Sequence, residues 1–120
     1  MCTVVYNNLS DTGSFIGFND NPMNRPKNYG SYGRYGFIKE TTPTREEGDY
    51  IRYVISNPDG TTFSFNNYYL SPQTYESCFN EAGFSHFQWE GPFLDPQAKD
   101  YSNWETFFAD PPLIGFSAKK

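Results

Sequence analysis

Histidine, cysteine and long apolar runs are what this 120-residue sequence has least of. It carries one histidine and two cysteines. Cys2 and Cys78 lie far apart and show no C-x-x-C spacing, and with His86 they fall short of the ligands a structural zinc site needs, so no metal is expected. No stretch approaches the ~18 apolar residues of a membrane span. Met1 to Asn8 has neither the basic start nor the apolar segment of a signal peptide. With no export signal, the two thiols read as reduced and the protein as cytoplasmic. Positive charge is also scarce: 9 Lys and Arg stand against 14 Asp and Glu, a formal net charge of -5. Nucleic-acid binders present a basic footprint, so that class is excluded. The hydrolase and protease signatures G-x-S-x-G and H-E-x-x-H are missing, and no G-x-G occurs anywhere.

Aromatic residues make up 20% of the chain and dominate what is present. Rings of this number supply large buried areas despite few aliphatics and a mean hydropathy of -0.72. The length fits a single domain, 1–120, with no linker dividing it. It suffices for a core, but not for a complete nucleotide-binding fold plus a substrate lobe.

Periodicity gives the element order. The first nine residues suit the tail of a helix, with Val4, Val5 and Leu9 apolar, and Asp11-Thr12-Gly13 breaks it. Ser14 to Asn19 is a short apolar run, as expected of a strand covered on both faces. Asn19 to Asn28 is polar loop. The run Tyr29-Gly30, Tyr32-Gly33, Tyr35-Gly36 ends in Phe37-Ile38, and the polar stretch Lys39 to Gly48 follows; this is expected to be the most mobile part. Tyr50 to Ser56 and Thr61 to Tyr69 alternate around Asn57-Pro58-Asp59-Gly60, a turn in which proline presets the bend and glycine takes the positive angle, giving an antiparallel hairpin. Ser71-Pro72 opens a helix with Tyr75, Cys78, Phe79 and Ala82 on one stripe, and Gly83 stops it. Ser85 to Glu90 returns as a strand, Ser102 to Ala109 forms a short helix, and Leu113 to Ala118 is apolar enough for a central strand. The fold class is therefore α/β or α+β: a mixed, largely antiparallel sheet with two or three helices.

The stretch Tyr68 to Phe84 resembles a recurring piece of class I, S-adenosylmethionine-dependent methyltransferases, in which a helix ending L-x-x-A-G-F precedes the penultimate long strand. Here Phe79-Asn80-Glu81-Ala82-Gly83-Phe84 puts phenylalanine in the leucine position. Asn8-Leu9-Ser10-Asp11-Thr12-Gly13-Ser14-Phe15 looks like the family's L-K-P-G-G-R-F, which leads into its fifth strand. Pro111 to Lys119 looks like its final strand. The resemblance implies the C-terminal half of such an enzyme, with residues 50–70 as an inserted hairpin over the substrate. The family's cofactor turn, G-x-G-x-G after the first strand, has no counterpart. The resemblance thus implies a substrate-side half of a small-molecule methyltransferase, inactive alone. S-adenosylmethionine would bind only with an N-terminal half or partner chain, and no cofactor is expected for these residues by themselves.

Methyl transfer needs alignment and exclusion of water more than acid–base groups, which suits aromatic walls. Tyr29, Tyr32 and Tyr35 on a flexible loop suit a lid, unless the loop folds its rings onto the sheet. The expected substrate-binding set is Tyr32, Tyr35, Phe37 and Tyr68, facing a small-molecule methyl acceptor. His86 reads as a solvent-facing strand residue, not a general base, and Glu40, Glu46, Glu47 and Asp49 around Arg45 read as a solvated loop, not a metal site. Two other classes remain. A non-catalytic module would dimerise or bind a partner through the edge at Phe15 to Phe18. An aromatic ligand-binding domain, for carbohydrate for instance, would need Phe63 and Phe65 to face out.

Overall fold

The computed structural model describes all 120 residues, Met1 to Lys120. Six strands form two separate three-stranded sheets in which every pairing is antiparallel. The α/β reading and the antiparallel pairing hold, but the strands divide between two sheets instead of sharing one.

The first sheet has β1 (Ser14–Asp20), β6 (Leu113–Lys119) and β5 (His86–Glu90), in the order β1-β6-β5. Leu113 to Ala118 does form the central strand, and β1 lies at an edge. One face of this sheet is covered by α1 (Cys2–Asn8) and α2 (Pro72–Ala82), and Phe79 of α2 joins Phe84, Phe116 and Ala118 in the core between them. Burying rings such as Phe79 and Phe116 contributes about 1.5–3 kcal/mol each. Ser71 caps α2 by accepting the Thr74 N–H at 3.2 Å, and Gly83 ends it at φ +105°. Gly17 is needed for a different reason: the Phe116 ring lies where its Cβ would be, 2.2 Å from the nearest ring atom.

The other face of β1 is open. Ile16 and Phe18 are 74% and 61% exposed. The expectation of a strand covered on both faces is therefore corrected: no layer packs on that side of the chain. Cys78, expected in the apolar stripe of α2, is likewise exposed.

The second sheet, β2-β3-β4, contains the expected hairpin as β3 (Tyr50–Ser56) and β4 (Thr62–Tyr68), with Gly60 at φ +86° in the turn. Its third strand, β2 (Phe37–Thr41), lies where a polar loop was expected. The tyrosine–glycine run is not a mobile loop either. It is a 3₁₀ helix, Pro26–Tyr35, whose three residues per turn place Tyr29 and Tyr32 together on the inner side. Tyr29, Ile51 and Tyr53 make a second small core. The short helix expected at 102–109 appears as a 3₁₀ turn (Tyr101–Trp104) running into α3 (Glu105–Ala109).

The two halves give a flat body of 46 × 38 × 25 Å with a radius of gyration of 16.3 Å. A compact domain of this length has about 14 Å. Only 15 of 120 residues are buried, so much apolar surface stays open between and beside the sheets. No helix is long and apolar enough to cross a membrane.

Candidate functional site

The C-terminal end of β1 is where the two sheets meet. Asp20 is 6% exposed, and its Oδ1 accepts from the Lys39 ammonium at 2.7 Å and from the Tyr53 hydroxyl. Lys39 also donates to the Pro112 carbonyl at 3.1 Å and lies 4.4 Å from the centre of the Tyr29 ring. Burial lowers the Lys39 amine from its ordinary value, with Asp20 opposing that shift. Burial, then the Asp20 charge, pushes the Tyr53 phenol far up.

A half-open cleft of about 320 Å³ begins at this pair. One wall is a row of rings from successive strands. Phe37 stacks against Tyr53 at 5.9 Å, and Tyr53 against Phe65 at 5.1 Å with planes 1° apart. Register explains the closest of these contacts, because Tyr53 and Phe65 are directly paired across β3 and β4. Phe18 of β1 supplies an opposing apolar wall, and Asn19, Asp20 and Asn67 supply the polar lining. Asn67 donates to Asn19 Oδ1 at 3.0 Å, and Asn19 donates to the Tyr75 hydroxyl at 2.9 Å.

Asn19 also touches a larger cavity, about 500 Å³, between α1, α2 and the covered face of the first sheet. Its lining includes Tyr75, Cys78, Phe79 and Phe116. The larger cavity also has polar lining, from Thr3, Asn19, Thr74 and Glu81; what sets the smaller cleft apart is the buried Asp20–Lys39 pair at its end beside a wall of stacked rings.

The four expected substrate residues do not assemble as one surface. Phe37 lines the cleft. Tyr32 stands behind it, fully buried, its ring stacked on Phe37 at 5.5 Å and its hydroxyl donating to the Asp110 carbonyl; burial raises that phenol to about 12. Tyr35 is tied to the α3 region: it stacks on Trp104 at 5.2 Å and donates to the Asn103 carbonyl at 2.7 Å. Tyr68 is exposed and pairs with Tyr50 on the side of the sheet opposite Phe65. Phe63 and Phe65 are about half exposed, at 53% and 50%.

Several residues in and behind the cleft gave little signal in the sequence. Asp20 ends an apolar run, and Lys39 occupies the buried phase of a strand read as loop. The same holds for Arg45, expected in a solvated loop. It donates to the Tyr29 hydroxyl at 3.0 Å and to the Asn24 carbonyl, and its guanidinium lies 4.4 Å from the Tyr69 ring centre. Glu47 is also employed structurally, accepting from Ser71 N and Thr74 Oγ1, each at 2.7 Å. No group of three or more His, Cys, Asp or Glu side chains is gathered as metal ligands. His86 is exposed and meets Gln88 Oε1 at 3.0 Å, as expected of a solvent-facing strand residue.

No family profile matches the sequence, and no curated protein matches it. The fold does match a solved structure from Listeria monocytogenes, a protein whose assignment as an S-adenosylmethionine-dependent methyltransferase is itself provisional. The match has a TM-score of 0.58 and 22% identity, and covers 99% of this chain and 53% of that one. The chain thus has a methyltransferase-like fold and spans about half the length of the protein it resembles.

Proposed function

We propose that this chain is the substrate-side, C-terminal half of an S-adenosylmethionine-dependent small-molecule methyltransferase, with the cofactor-binding portion contributed from outside these residues. The observation that carries the reading is the fold likeness, which takes in 99% of this chain but only 53% of the Listeria protein. The order of the flanking motifs around β1, α2 and β6 agrees with it.

The residues present do not fit the cofactor. Binding of a nucleotide at a helix N-terminus uses a glycine-rich turn between strand and helix. Here β4 enters α2 through Leu70-Ser71-Pro72 without glycine, and Gly30 and Gly33 lie within a 3₁₀ helix. What the chain supplies is a place for the acceptor. Aromatic walls exclude water, and fixed polar groups orient a small molecule, which is most of what methyl transfer asks of a protein. On this reading Phe37 contacts the acceptor, Tyr32 supports it from behind, and Tyr35 and Tyr68 serve only if the missing portion extends the site to them. The test is transfer of a labelled methyl group from S-adenosylmethionine to small aromatic acceptors. The chain is joined to whatever G-x-G-x-G segment is encoded beside it. Turnover by the joined protein and none by the chain alone is expected; a joined protein that never transfers the label overturns the reading.

A second reading is a partner-binding module, favoured by the free edge of β1 beside exposed Ile16 and Phe18. Unpaired strand edges template pairing with another chain. The complementing half is the occupant proposed for this edge, because the matched protein is about twice as long; a second copy, giving a homodimer, is the other outcome. Sedimentation of the isolated chain as a clean monomer at tens of micromolar counts against the homodimer.

A further inference from the structure

We propose that Asp20 is the polar anchor of the inter-sheet cleft, and that the cleft takes a neutral aromatic molecule of one or two fused rings bearing an O–H or N–H donor. This deepens the methyl-acceptor reading and rests on it for the fate of the ligand, though not for its binding.

The first observation is an oxygen with nothing to do. Asp20 is 94% buried by its 6% exposure, and it lines the cleft. Both its protein partners, Lys39 Nζ and Tyr53 Oη, use the same atom, Oδ1. A carboxylate has about four acceptor positions, so Oδ2 keeps its full capacity. Asp20 is one of the residues that line the cleft, and neither Lys39 nor Tyr53 takes up its Oδ2. A buried carboxylate left half satisfied, at the end of an open cleft, is poised to accept from a ligand.

Charge decides which donor. The Lys39 ammonium at 2.7 Å already balances Asp20, so a cationic ligand would gain little from the carboxylate and would be repelled by the lysine. A neutral hydroxyl or ring N–H meets Oδ2 without that repulsion and with less desolvation. Shape and surface decide the rest. The walls are Phe18 and the Phe37–Tyr53–Phe65 row, and about 320 Å³ is near the lower end of the range for small-molecule sites. Asn67 sits beside the anchor and has an amide hydrogen beyond the one given to Asn19, suited to a second polar group on the ring.

The test is an amide-detected NMR titration of the full chain, without cofactor, using 2-naphthol, 2-methoxynaphthalene and naphthalene-2-methylammonium. Saturable shifts at Phe18, Asn19, Asp20 and Asn67 are expected with 2-naphthol. Affinity should be about tenfold lower for the methoxy compound, which lacks the donor, and no tighter for the ammonium. Phe18→Ser and Phe65→Ala, both at exposed positions, should each weaken 2-naphthol several-fold with the rest of the spectrum unchanged. Asp20→Asn should remove the preference for naphthol over its ether; if that variant fails to fold, the ether comparison carries the point alone. Equal affinity for naphthol and ether, tighter binding of the ammonium, shifts centred on Cys78 and Ala82, or no binding by the folded chain would overturn the proposal. Because no cofactor is present, such a failure leaves the methyl-transfer assay untouched. Failure of that assay with naphthol binding intact removes the acceptor role and not the site.

Discussion

Lys39 of β2 and Asp20 of β1 meet at 2.7 Å with both side chains withdrawn from solvent, so an ion pair links the two sheets where no strand is shared. Tyr53 adds its hydroxyl to the same carboxylate oxygen, and the Pro112 carbonyl takes a further ammonium hydrogen. A buried pair of this kind is weak support for stability in itself, since desolvation offsets most of the attraction, but removing one partner strands the other. The pair therefore ties β1 of one sheet to β2 of the other at the end of the cleft.

Lys39→Met should destabilise the chain by about 3–5 kcal/mol, because Asp20 is left buried and uncompensated. Adding Asp20→Leu should recover much of the loss, since two apolar side chains of similar size carry no stranded charge. Urea unfolding of the two variants decides the matter. A double variant no more stable than the single one would show that the pair does more than satisfy itself.

Gly17→Ala should cost about 1–3 kcal/mol, the usual range when an added methyl forces a core ring to shift. The added methyl would sit 2.2 Å from the Phe116 ring, which would have to give up contacts with Phe15, Phe79 and Phe87 to move aside. Thermal unfolding reads the loss. Gly17→Ala combined with Phe116→Leu should be less destabilising than the sum of the two changes.

Alkaline pH should unfold the chain through its buried phenols. Burial raises Tyr29, Tyr53 and Tyr75 above the ordinary value of 10.0, and Tyr32 to about 12. A folded value above the unfolded one gives stability that is complete below pH 10 and is lost as pH rises through the folded values. Lys39 works the other way, since its lowered value relieves a buried charge as pH climbs towards 10.5, but it is one group against four. In a tyrosinate absorbance titration, four phenols should lag and ionise together with loss of ellipticity. All ten tyrosines titrating as one class would contradict the burial described here.

Much of the element order was legible because each piece carried a local signal. Ser71-Pro72 and Gly83 bracket α2, and Asn57 to Gly60 closes the hairpin, each by backbone chemistry confined to a few residues. What escaped was set by tertiary structure. A spacing of three between Tyr29, Tyr32 and Tyr35 reads as noise against the periods 3.6 and 2.0, yet it is the period of a 3₁₀ helix, and two of the rings fall on its inner side. Phe37 to Thr41 looked polar because Lys39, Glu40 and Thr41 follow each other. Lys39 is tolerated inside only because Asp20, 19 positions earlier, awaits it. The cleft combines Phe18, Asp20, Tyr53 and Phe65 from three strands of two sheets, a juxtaposition no sequence window contains. The likeness to methyltransferases was carried by the element order and by the motifs at β1, α2 and β6, and the fold match takes in 99% of the chain.

The proposed function gives these 120 residues the substrate side and not the cofactor side of a methyltransferase. The most direct measurement is a calorimetric titration with S-adenosylmethionine, run on the chain alone and on the chain joined to a G-x-G-x-G segment encoded beside it. Saturable binding by the joined protein and none by the chain alone is expected. Micromolar binding by the isolated chain, or no binding by the joined protein, would contradict it.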